Sequence, residues 1–360
     1  MSHRLARLRE QFGEHKIDGF LLIAPRSLRY IAGFSGSNGC ALVAEDEAVF
    51  ITDFRYKLQA QEQVKGFEQR MAKDELFKDL AELDWFGKKR RLGLESTHVS
   101  LQQIQQLKEL LPNTELVPVK ELVEEIGLVK EEGEIENIRR AVAISDGVFG
   151  EILDLLRPGM KEVEICAEIE YRMRMAGSEK VAFDAIVVSG ERSALPHGQP
   201  TEKRLQKGDL VTMDYGARVG GYCSDFTRTV VLGQANGRQR DIYEVCLQAQ
   251  EKAEEAARAG MLASELDSVA RQIIAASGYG DNFGHGLGHG LGLEVHEGPR
   301  LSPKGQVRLQ PGMVVTIEPG IYLPEVGGVR IEDVVVIRED GCEVLTQAGK
   351  ELIELESLES

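Results

Sequence analysis

The sequence contains few cysteines and no pattern that pairs them. Its five cysteines are odd in number and widely spaced, and no Cys-x-x-Cys occurs. Neither a disulfide framework nor a cysteine zinc site is therefore indicated. This usage fits a reducing compartment, and we expect a cytoplasmic protein. No secretory signal is evident, because the apolar run Gly19–Ala24 is short and typical of a strand.

Long apolar runs and concentrated basic stretches are also missing. No run approaches the roughly 18–20 apolar residues of a membrane helix. Asp and Glu number 59 against 43 Lys and Arg, which gives a formal net charge of −16. Because binding to a phosphate backbone needs a concentrated basic face, neither nucleic acid nor membrane is an expected partner.

The chain of 360 residues is long enough for two domains, since one core rarely serves more than roughly 250–300 residues. Strands alternate with helical patterns up to about residue 120, which predicts a small α/β domain over 1–125. The charged stretch Lys130–Glu136 then opens a long helical pattern. We place the boundary near 122–132 and the second domain at 126–360.

The second domain contains a faint internal repeat. Arg157-Pro-Gly-Met160 and Arg258-Ala-Gly-Met261 each precede a helical pattern, and further residues match at the same offset. Several matches at one offset indicate duplicated halves. Duplicated halves commonly pack about a pseudo-two-fold axis, so we hypothesise a site at the seam that draws residues from both.

Four carboxylates lie in apolar, strand-like sequence of this domain. Asp214 and Asp225 fall in two strands that Gly220-Gly221 joins as a hairpin, and Glu318 and Glu332 fall in a later pair. Carboxylates in strand interiors are costly unless they are paired, protonated or bound to metal. Two divalent ions would balance the charge of four carboxylates. The alternative is that the carboxylates cap loops or form ion pairs.

A glycine-rich segment beside the carboxylates supplies imidazoles. It contains His285, His289 and His296, and we expect its glycines to allow close backbone approach and positive φ, so that the histidines converge. Oxygen ligands with one imidazole suit Mn²⁺, Co²⁺, Fe²⁺ or Zn²⁺. The segment lacks G-x-x-x-x-G-K-S/T, which disfavours phosphate binding.

In this order the segments resemble the pita-bread (M24) metallopeptidase family, and within it the branch of Xaa-Pro aminopeptidase and prolidase. The resemblance spans about 130–352, and residues 1–125 resemble the family's N-terminal domain. It implies an α/β creatinase-type first domain with a mixed sheet, then an α+β pita-bread catalytic domain with pseudo-two-fold symmetry. The motifs that carry it are Asp214 with Asp225, His289–Glu297, Glu318–Tyr322, Gly328–Asp333 and Arg29–Ser37.

The resemblance also implies a ligand set for two divalent metal ions. Mn²⁺ is the expected ion, with Co²⁺, Zn²⁺ and Fe²⁺ as alternatives. Asp214 would bind one ion, Asp225 and Glu332 would bridge both, and His289 and Glu318 would complete the other. Glu318 would also act as the general base.

Further roles follow from positions in the family's motifs. His197 and His296 would bind substrate and stabilise the developing oxyanion, although a lone histidine is more often structural. Arg300 matches a position that binds the dipeptide carboxylate in some prolidases. Arg330 would bind substrate or orient a bridging carboxylate, with a surface ion pair as the alternative. His285 would support the metal shell or only pack the loop.

The implied activity is dinuclear-metal hydrolysis of the bond between an N-terminal residue and a following proline. Substrate length stays open, because Arg300 favours a dipeptidase whereas Arg29–Ser37 favours an aminopeptidase. The alternatives are methionine-aminopeptidase-like specificity, creatinase-like hydrolysis of a small amidino compound, and an inactive binding module on the same fold. A proline-containing peptide is the expected partner, and a homodimer is implied by resemblance alone.

Overall fold

The computed structural model describes residues 2–355; residues 1 and 356–360 lie outside the described part. The chain divides into two compact units, Met1–Gly127 and Leu128–Ser360. Each unit contains its own cluster of buried apolar side chains, as a chain of this length requires. Among residues 2–355, each helix is too short or too polar to span a bilayer.

The first unit is built on one mixed sheet in the order β4–β3–β2–β1–β5–β6. Strands β1, β2 and β3 pair antiparallel, whereas β4, β5 and β6 each join a neighbour in parallel. The strands are β1 (Gly19–Leu22), β2 (Gly39–Ala44), β3 (Ala48–Thr52), β4 (Glu68–Met71), β5 (Arg90–Glu95) and β6 (Thr114–Val119).

Helices of the first unit cover this sheet. Leu21, Leu42 and Leu92 belong to three adjacent strands and are completely buried in one apolar cluster with Leu80 and Leu107 from two of the helices. The helices are α1 (Ser2–Glu10), α2 (Phe12–His15), α3 (Pro25–Ser27), α4 (Lys57–Gln63), α5 (Leu76–Ala81), α6 (Leu101–Leu110) and α7 (Leu122–Ile126), with a π-helix at Leu28–Ala32 and 3₁₀ turns at Phe54–Tyr56 and Asp84–Gly87.

The second unit contains two larger sheets with a pair of helices on each, and two separate two-stranded sheets. One larger sheet has the order β7–β8–β11–β19 and the other β13–β12–β14–β17–β18, and the two-stranded sheets are β9–β10 and β15–β16. The strands are β7 (Ile186–Ser189), β8 (Leu210–Tyr215), β9 (Arg218–Val219), β10 (Tyr222–Cys223), β11 (Phe226–Leu232), β12 (Gly288–Gly290), β13 (Glu297–Leu301), β14 (Val314–Ile317), β15 (Gly320–Leu323), β16 (Gly327–Arg330), β17 (Asp333–Ile337), β18 (Cys342–Val344) and β19 (Glu354–Leu355). The helices are α8 (Glu132–Leu153), α9 (Glu162–Met175), α10 (Gly237–Ala256) and α11 (Ala263–Ala276), with 3₁₀ turns at Gly190–Ala194 and Gly280–Asn282.

Each of the larger sheets forms one half of the second unit together with its pair of helices. Matched hydrogen bonds show that the two halves are duplicates. Gly159 N donates to Leu205 O and Gly260 N donates to Leu309 O, both at 2.8 Å. Helices α8 and α9 bury their apolar faces with β7, β8 and β11, as α10 and α11 do with β14 and β17. The repeat predicted from the sequence is therefore a structural repeat.

Strand alternation directs the side chain of Asp214 away from the helices. On β8, Val211 and Met213 belong to the apolar cluster under α8 and α9. Because successive side chains of a strand point to opposite faces, Asp214 points to the other face, towards the second half. Thr227 is its partner on β11 and shares that face.

The other three carboxylates lie at strand ends, so their predicted placement inside strands is wrong. Asp225 immediately precedes β11, Glu332 precedes β17, and Glu318 follows β14. At two of these ends the backbone bonds outside its own hairpin: Glu318 N donates to Leu287 O at 2.8 Å, and Glu332 N donates to Thr227 O at 3.2 Å. These bonds end the ladder and free the side chains to converge.

Candidate metal centre

Three carboxylates from both halves converge on one point. Asp214 and Asp225 come from the first half and Glu332 from the second, and each offers an oxygen within 4.8 Å of the others. Thr227 Oγ1 donates to Glu332 Oε2 at 2.7 Å. Among residues 2–355, no donor reaches Asp214 Oδ1 or Glu332 Oε1, although both atoms are buried. Two oxygens are thus available to a cation.

His289 and Glu318 lie beside these carboxylates. His289 Nε2 is 3.2 Å from Glu318 Oε1 and 3.5 Å from Asp225 Oδ2. Thr316 holds the pair together, because its hydroxyl donates to Glu318 Oε1 at 3.0 Å and accepts from His289 N at 3.1 Å. Sequence reasoning missed Thr316; its position two residues before Glu318 on an apolar strand was the available signal.

The pKa values of the carboxylates reflect crowded charge. Burial raises the pKa of Asp225 well above its usual range, and the neighbouring Glu332 carboxylate raises it further. Burial likewise raises the pKa of Glu332, with Glu318 adding to the effect. Burial also opposes ionisation of Glu318, but the hydrogen bond and charge of His289 outweigh it and lower its pKa to about 2. The cluster is short of positive charge.

Arg330 joins several parts of the site from a buried position. Its guanidinium donates to Asp214 Oδ2 at 2.6 Å, Thr227 Oγ1 at 3.3 Å, Tyr322 Oη at 3.0 Å and Pro196 O at 3.3 Å. Burial raises the pKa of Asp214, and the charge of Arg330 opposes that rise. The ion pair of Arg330 with Asp214 is therefore buried and does not lie on the surface. Arg330 makes no direct contact with Asp225 or Glu332, the two carboxylates predicted to bridge the ions. A role in substrate binding stays a prediction.

The glycine-rich segment works through close approach, not through unusual backbone angles. No glycine between 284 and 292 has a positive φ, so that expectation is wrong. A Cβ on Gly288 would lie 2.1 Å from Thr316 O, and one on Gly290 would lie 1.9 Å from Gly298 O. Only glycine lets these main chains pack so closely, which brings His289 against β14.

The three histidines of this segment meet along one cavity, as expected. The rings of His289 and His296 are 4.4 Å apart between centroids. Burial and the charge of His289 lower the pKa of His296. His285 contacts a tyrosine: its Nε2 is 2.9 Å from Tyr322 Oη, and burial lowers its pKa. His285 therefore contacts a tyrosine that Arg330 also binds, which fits a supporting role.

A cavity of about 330 Å³ opens onto the carboxylates. His197, His296 and Arg300 line it, and all three are exposed. Part of its wall is apolar, so it offers polar and apolar surfaces at once. The lining residues are Phe183, Ile186, Pro196, His197, Asp214, Asp225, His285, Gly286, Gly288, His289, Val295, His296, Arg300, Leu301, Ser302, Glu318, Arg330 and Glu332.

Comparison with known proteins accounts for this arrangement. Residues 136–339 match Metallopeptidase family M24, and residues 4–129 match the Creatinase/Prolidase N-terminal domain. The chain belongs to metallopeptidase family M24. The predicted fold, a creatinase-type domain followed by a pita-bread catalytic domain, is confirmed.

Three relatives of this M24 peptidase match it over most of their length. The Xaa-Pro dipeptidase of Pyrococcus furiosus is 41% identical over 84% of this chain and 85% of its own. The structure of an Xaa-Pro dipeptidase from Bacillus anthracis is 42% identical, with a TM-score of 0.96 over 98% of this chain and 99% of that one. An X-Pro aminopeptidase from Thermotoga maritima is 40% identical, with a TM-score of 0.91 over 97% and 99%.

The residues of this M24 peptidase fit the divalent metal that its family implies. Two buried carboxylate oxygens lack a donor among the described residues, and burial and neighbouring carboxylates raise the pKa values of two clustered acids. A divalent cation removes both difficulties, because it binds oxygen and displaces the protons. The donor set of carboxylates and one imidazole suits a first-row metal ion.

A second buried carboxylate network packs behind Glu332. Lys350 Nζ lies 3.0 Å from Asp333 Oδ2 and 2.6 Å from Glu254 Oε2. Gln250 Nε2 donates to Glu254 Oε1 at 2.6 Å. Burial, and then the hydrogen bond and charge of Asp333, raise the pKa of Glu254 to about 7 against the opposing effect of Lys350.

This raised pKa predicts a pH dependence of stability. Between the usual pKa of 4.5 and about 7, the folded chain keeps a proton on Glu254 that the unfolded chain releases. The free energy of unfolding should therefore fall as pH rises through that window and level off above it. Replacing Glu254 with glutamine should remove this fall, which amounts to about 3 kcal/mol, as measured by urea unfolding across the window. Glu255→Gln, at an exposed neighbour, should leave it unchanged; equal pH profiles for both variants and the parent would contradict the assignment.

Proposed function

We propose that this peptidase hydrolyses the bond between an N-terminal residue and a following proline, using two divalent metal ions. The observation that carries the proposal is the convergence of Asp214, Asp225, His289, Glu318 and Glu332 in one cavity. Relatives named Xaa-Pro dipeptidase and X-Pro aminopeptidase support the specificity.

The proposed ligands divide between the ions according to the halves that supply them. Asp225 and Glu332 stand at corresponding strand starts of the two halves, which suits them to hold both ions. Asp214 would hold one ion, and His289 with Glu318 the other. We favour Mn²⁺, because the donors are mostly carboxylate oxygens, with Co²⁺, Zn²⁺ or Fe²⁺ as alternatives.

The chain's own residues then have distinct tasks. Bound divalent ions supply Lewis acidity at the carbonyl and make the attacking water easier to deprotonate. Glu318 takes the proton of that water and passes it to the leaving proline nitrogen. Thr316 fixes one oxygen of Glu318 by donating to it. His197 and His296 donate ring N–H groups to the substrate oxygen as it gains negative charge.

The cavity wall suits a proline ring. An Xaa-Pro bond has a tertiary nitrogen that offers no N–H, so its recognition depends on the apolar ring. Phe183, Ile186, Pro196 and Leu301 provide an apolar part of the wall close to the carboxylates. Burying the ring there while the histidines hold the carbonyl would place the scissile bond beside the metal ligands.

Arg300 favours a short substrate. It is the cross-strand partner of His289 in the pairing of β12 with β13, and cross-strand partners project side by side on the same face. Arg300 lines the cavity and is exposed. This position suits Arg300 to bind the terminal carboxylate of a dipeptide, and we propose dipeptidase activity in preference to cleavage of longer peptides.

Hydrolysis of Ala-Pro, Ala-Pro-Ala and Ala-Ala by the Mn²⁺-loaded protein tests this proposal. We expect Ala-Pro to be cleaved fastest and Ala-Ala not at all. Arg300→Ala should raise KM for Ala-Pro roughly 10- to 100-fold, because it removes a hydrogen bond between charged groups, and should leave Ala-Pro-Ala unaffected. Lys304→Ala, which removes an exposed charge outside the cavity wall, is the control. Equal loss on both peptides would contradict the carboxylate role, and cleavage of Ala-Ala would contradict the specificity.

We also propose that the protein works in the cytoplasm as a homodimer. The five cysteines are all free, which suits a reducing compartment. The dimer rests on family resemblance, and sedimentation analysis of the loaded enzyme would test it.

A further inference from the structure

The segment that carries His197 is closed at both ends by one buried side chain. We call residues 190–200 the His197 loop; Ser189, the last residue of β7, precedes it and Thr201 follows it. Glu162, the first residue of α9, is completely buried beneath it. Its carboxylate accepts from backbone N–H groups on both sides of the loop, Ser189 N at 2.8 Å and Thr201 N at 3.0 Å.

Side chains of the same residues complete the contacts. Ser189 Oγ donates to Glu162 Oε1 at 2.9 Å, and Thr201 Oγ1 donates to Oε2 at 2.7 Å. Arg192, within the loop, donates from Nε to Oε2 at 3.2 Å and from Nη2 to Gln199 O at 2.6 Å. One carboxylate therefore accepts five hydrogen bonds and ties the start, interior and end of the loop together.

The hydrogen bonds of Glu162 are not needed to cap the N-terminus of α9. The helix already has a capping interaction, in which Glu164 accepts from Lys161 N at 2.9 Å. Burying an ionised carboxylate is unfavourable unless donors surround it, and nearly all donors that surround Glu162 belong to the His197 loop or its flanks. The carboxylate is thus matched to the loop and not to its own helix.

The loop in turn fixes one wall of the catalytic cavity. Pro196 and His197 line the cavity, and Pro196 O accepts from Arg330 Nη1 at 3.3 Å. Arg330 binds Asp214 with the same guanidinium. The loop therefore connects Glu162 on one side with the carboxylate cluster on the other.

In the second half, a different buried acid holds the segment that carries His285. Asp267, completely buried on α11, accepts from Leu287 N at 2.9 Å and pairs with Arg271. Arg271 donates to Phe283 O at 3.0 Å and to His285 O at 2.7 Å. Each half thus uses a buried acid on the helix after its repeat motif to hold a histidine-bearing segment.

We infer that Glu162 is a positioning residue, which holds His197 at the distance from the carboxylate cluster that catalysis requires. The inference rests on the proposed function, in which His197 donates to the substrate carbonyl. Glu162 itself touches neither substrate nor metal ligand and acts through the His197 loop.

The test is Glu162→Gln, compared with Glu164→Gln. An amide nitrogen cannot accept a hydrogen bond, so whichever way the glutamine turns, either Ser189 N or Thr201 N loses its acceptor. Glu164→Gln changes the same helix turn but touches no loop residue. Thr201→Val removes a single bond to the carboxylate and serves as a milder variant if Glu162→Gln fails to fold.

Hydrogen–deuterium exchange of the Mn²⁺-loaded full chain gives the first readout. Glu162→Gln should speed exchange in peptides covering 189–201 by at least about tenfold. Peptides covering 283–289, which Asp267 holds, should exchange as in the parent, and Glu164→Gln should leave both segments unchanged. Unaltered exchange over 189–201 in Glu162→Gln would overturn the inference whatever the activity.

Kinetics with Ala-Pro give the second readout. Glu162→Gln should lower kcat about 10- to 100-fold with little change in KM. When His197 is already alanine, adding Glu162→Gln should change kcat by less than about threefold, because both changes remove one function. If the double variant lost kcat by the product of the two single losses, the positioning role would be overturned. The same holds if Glu162→Gln sped exchange of the loop but left kcat at the parental value. A parent that does not cleave Ala-Pro contradicts the proposed function, and the exchange comparison still decides whether Glu162 holds the loop.

Discussion

Glu332→Gln and Asp225→Asn are each expected to abolish metal-dependent hydrolysis, with kcat/KM reduced by at least about 1000-fold. Each amide keeps nearly the size of the acid but removes one negative charge from a point where three carboxylates converge. The measurements are metal per chain by elemental analysis after gel filtration and the rate of Ala-Pro cleavage. We expect one or both ions to be lost.

The stability of the same variants provides an independent check. Clustered carboxylates repel one another when no cation balances them, so the metal-free amide variants should unfold at the same temperature as the metal-free parent or higher. Asp340→Asn removes an exposed charge and should change neither metal content nor rate. An Asp225→Asn protein with full metal content and full activity would contradict the assignment.

His197→Ala and His296→Ala are expected to show the second-largest loss, about 100- to 1000-fold in kcat each. Both residues line the cavity but lie outside the carboxylate cluster. Metal content should therefore stay at the parental level, which separates these variants from the ligand variants. KM should change much less than kcat, because stabilisation of a developing charge acts in the transition state.

His15→Ala is the matched control, since His15 lies in the first unit and outside the cavity wall. It should leave kcat, KM and metal content unchanged. If the His197 and His296 variants lost metal together with activity, or raised only KM, the proposed donation to the substrate oxygen would be wrong.

The sequence predicted much of the fold because local patterns decide it. The apolar run after Gly19 and the hairpin around Gly220-Gly221 follow from propensity and turn chemistry over a few residues. The repeated Arg-x-Gly-Met motif indicated duplicated halves, and hydrogen bonds from Gly159 and Gly260 match between them. Acidic residues in apolar, strand-like sequence indicated a shared site, because isolated buried charges are costly.

The rest depends on contacts between distant segments. Strand ends at Glu318 and Glu332 are set by backbone bonds to Leu287 and Thr227, which no local pattern specifies. The same holds for Arg330, whose partners come from four different segments. Close approach of Gly288 to Thr316 was mistaken for a need for positive φ, since both needs select glycine.

The roles of Glu162 and Thr316 show a further limit of sequence reasoning. Glu162 is typical of an acidic residue in the first turn of a helix, and that local interpretation hides its contacts with the His197 loop. Thr316 is typical of a β-branched strand residue, although its hydroxyl contacts both His289 and Glu318. In both cases a satisfactory local explanation concealed a longer-range one.

Metal reconstitution tests the central claim most directly. The full chain is stripped by exhaustive chelation, and Mn²⁺ is then added in steps while bound metal per chain and Ala-Pro hydrolysis are measured together. We predict no detectable hydrolysis in the stripped protein and recovery that reaches its maximum at two ions per chain. Full activity in the stripped protein would contradict the claim that these clustered acids act by holding divalent metal.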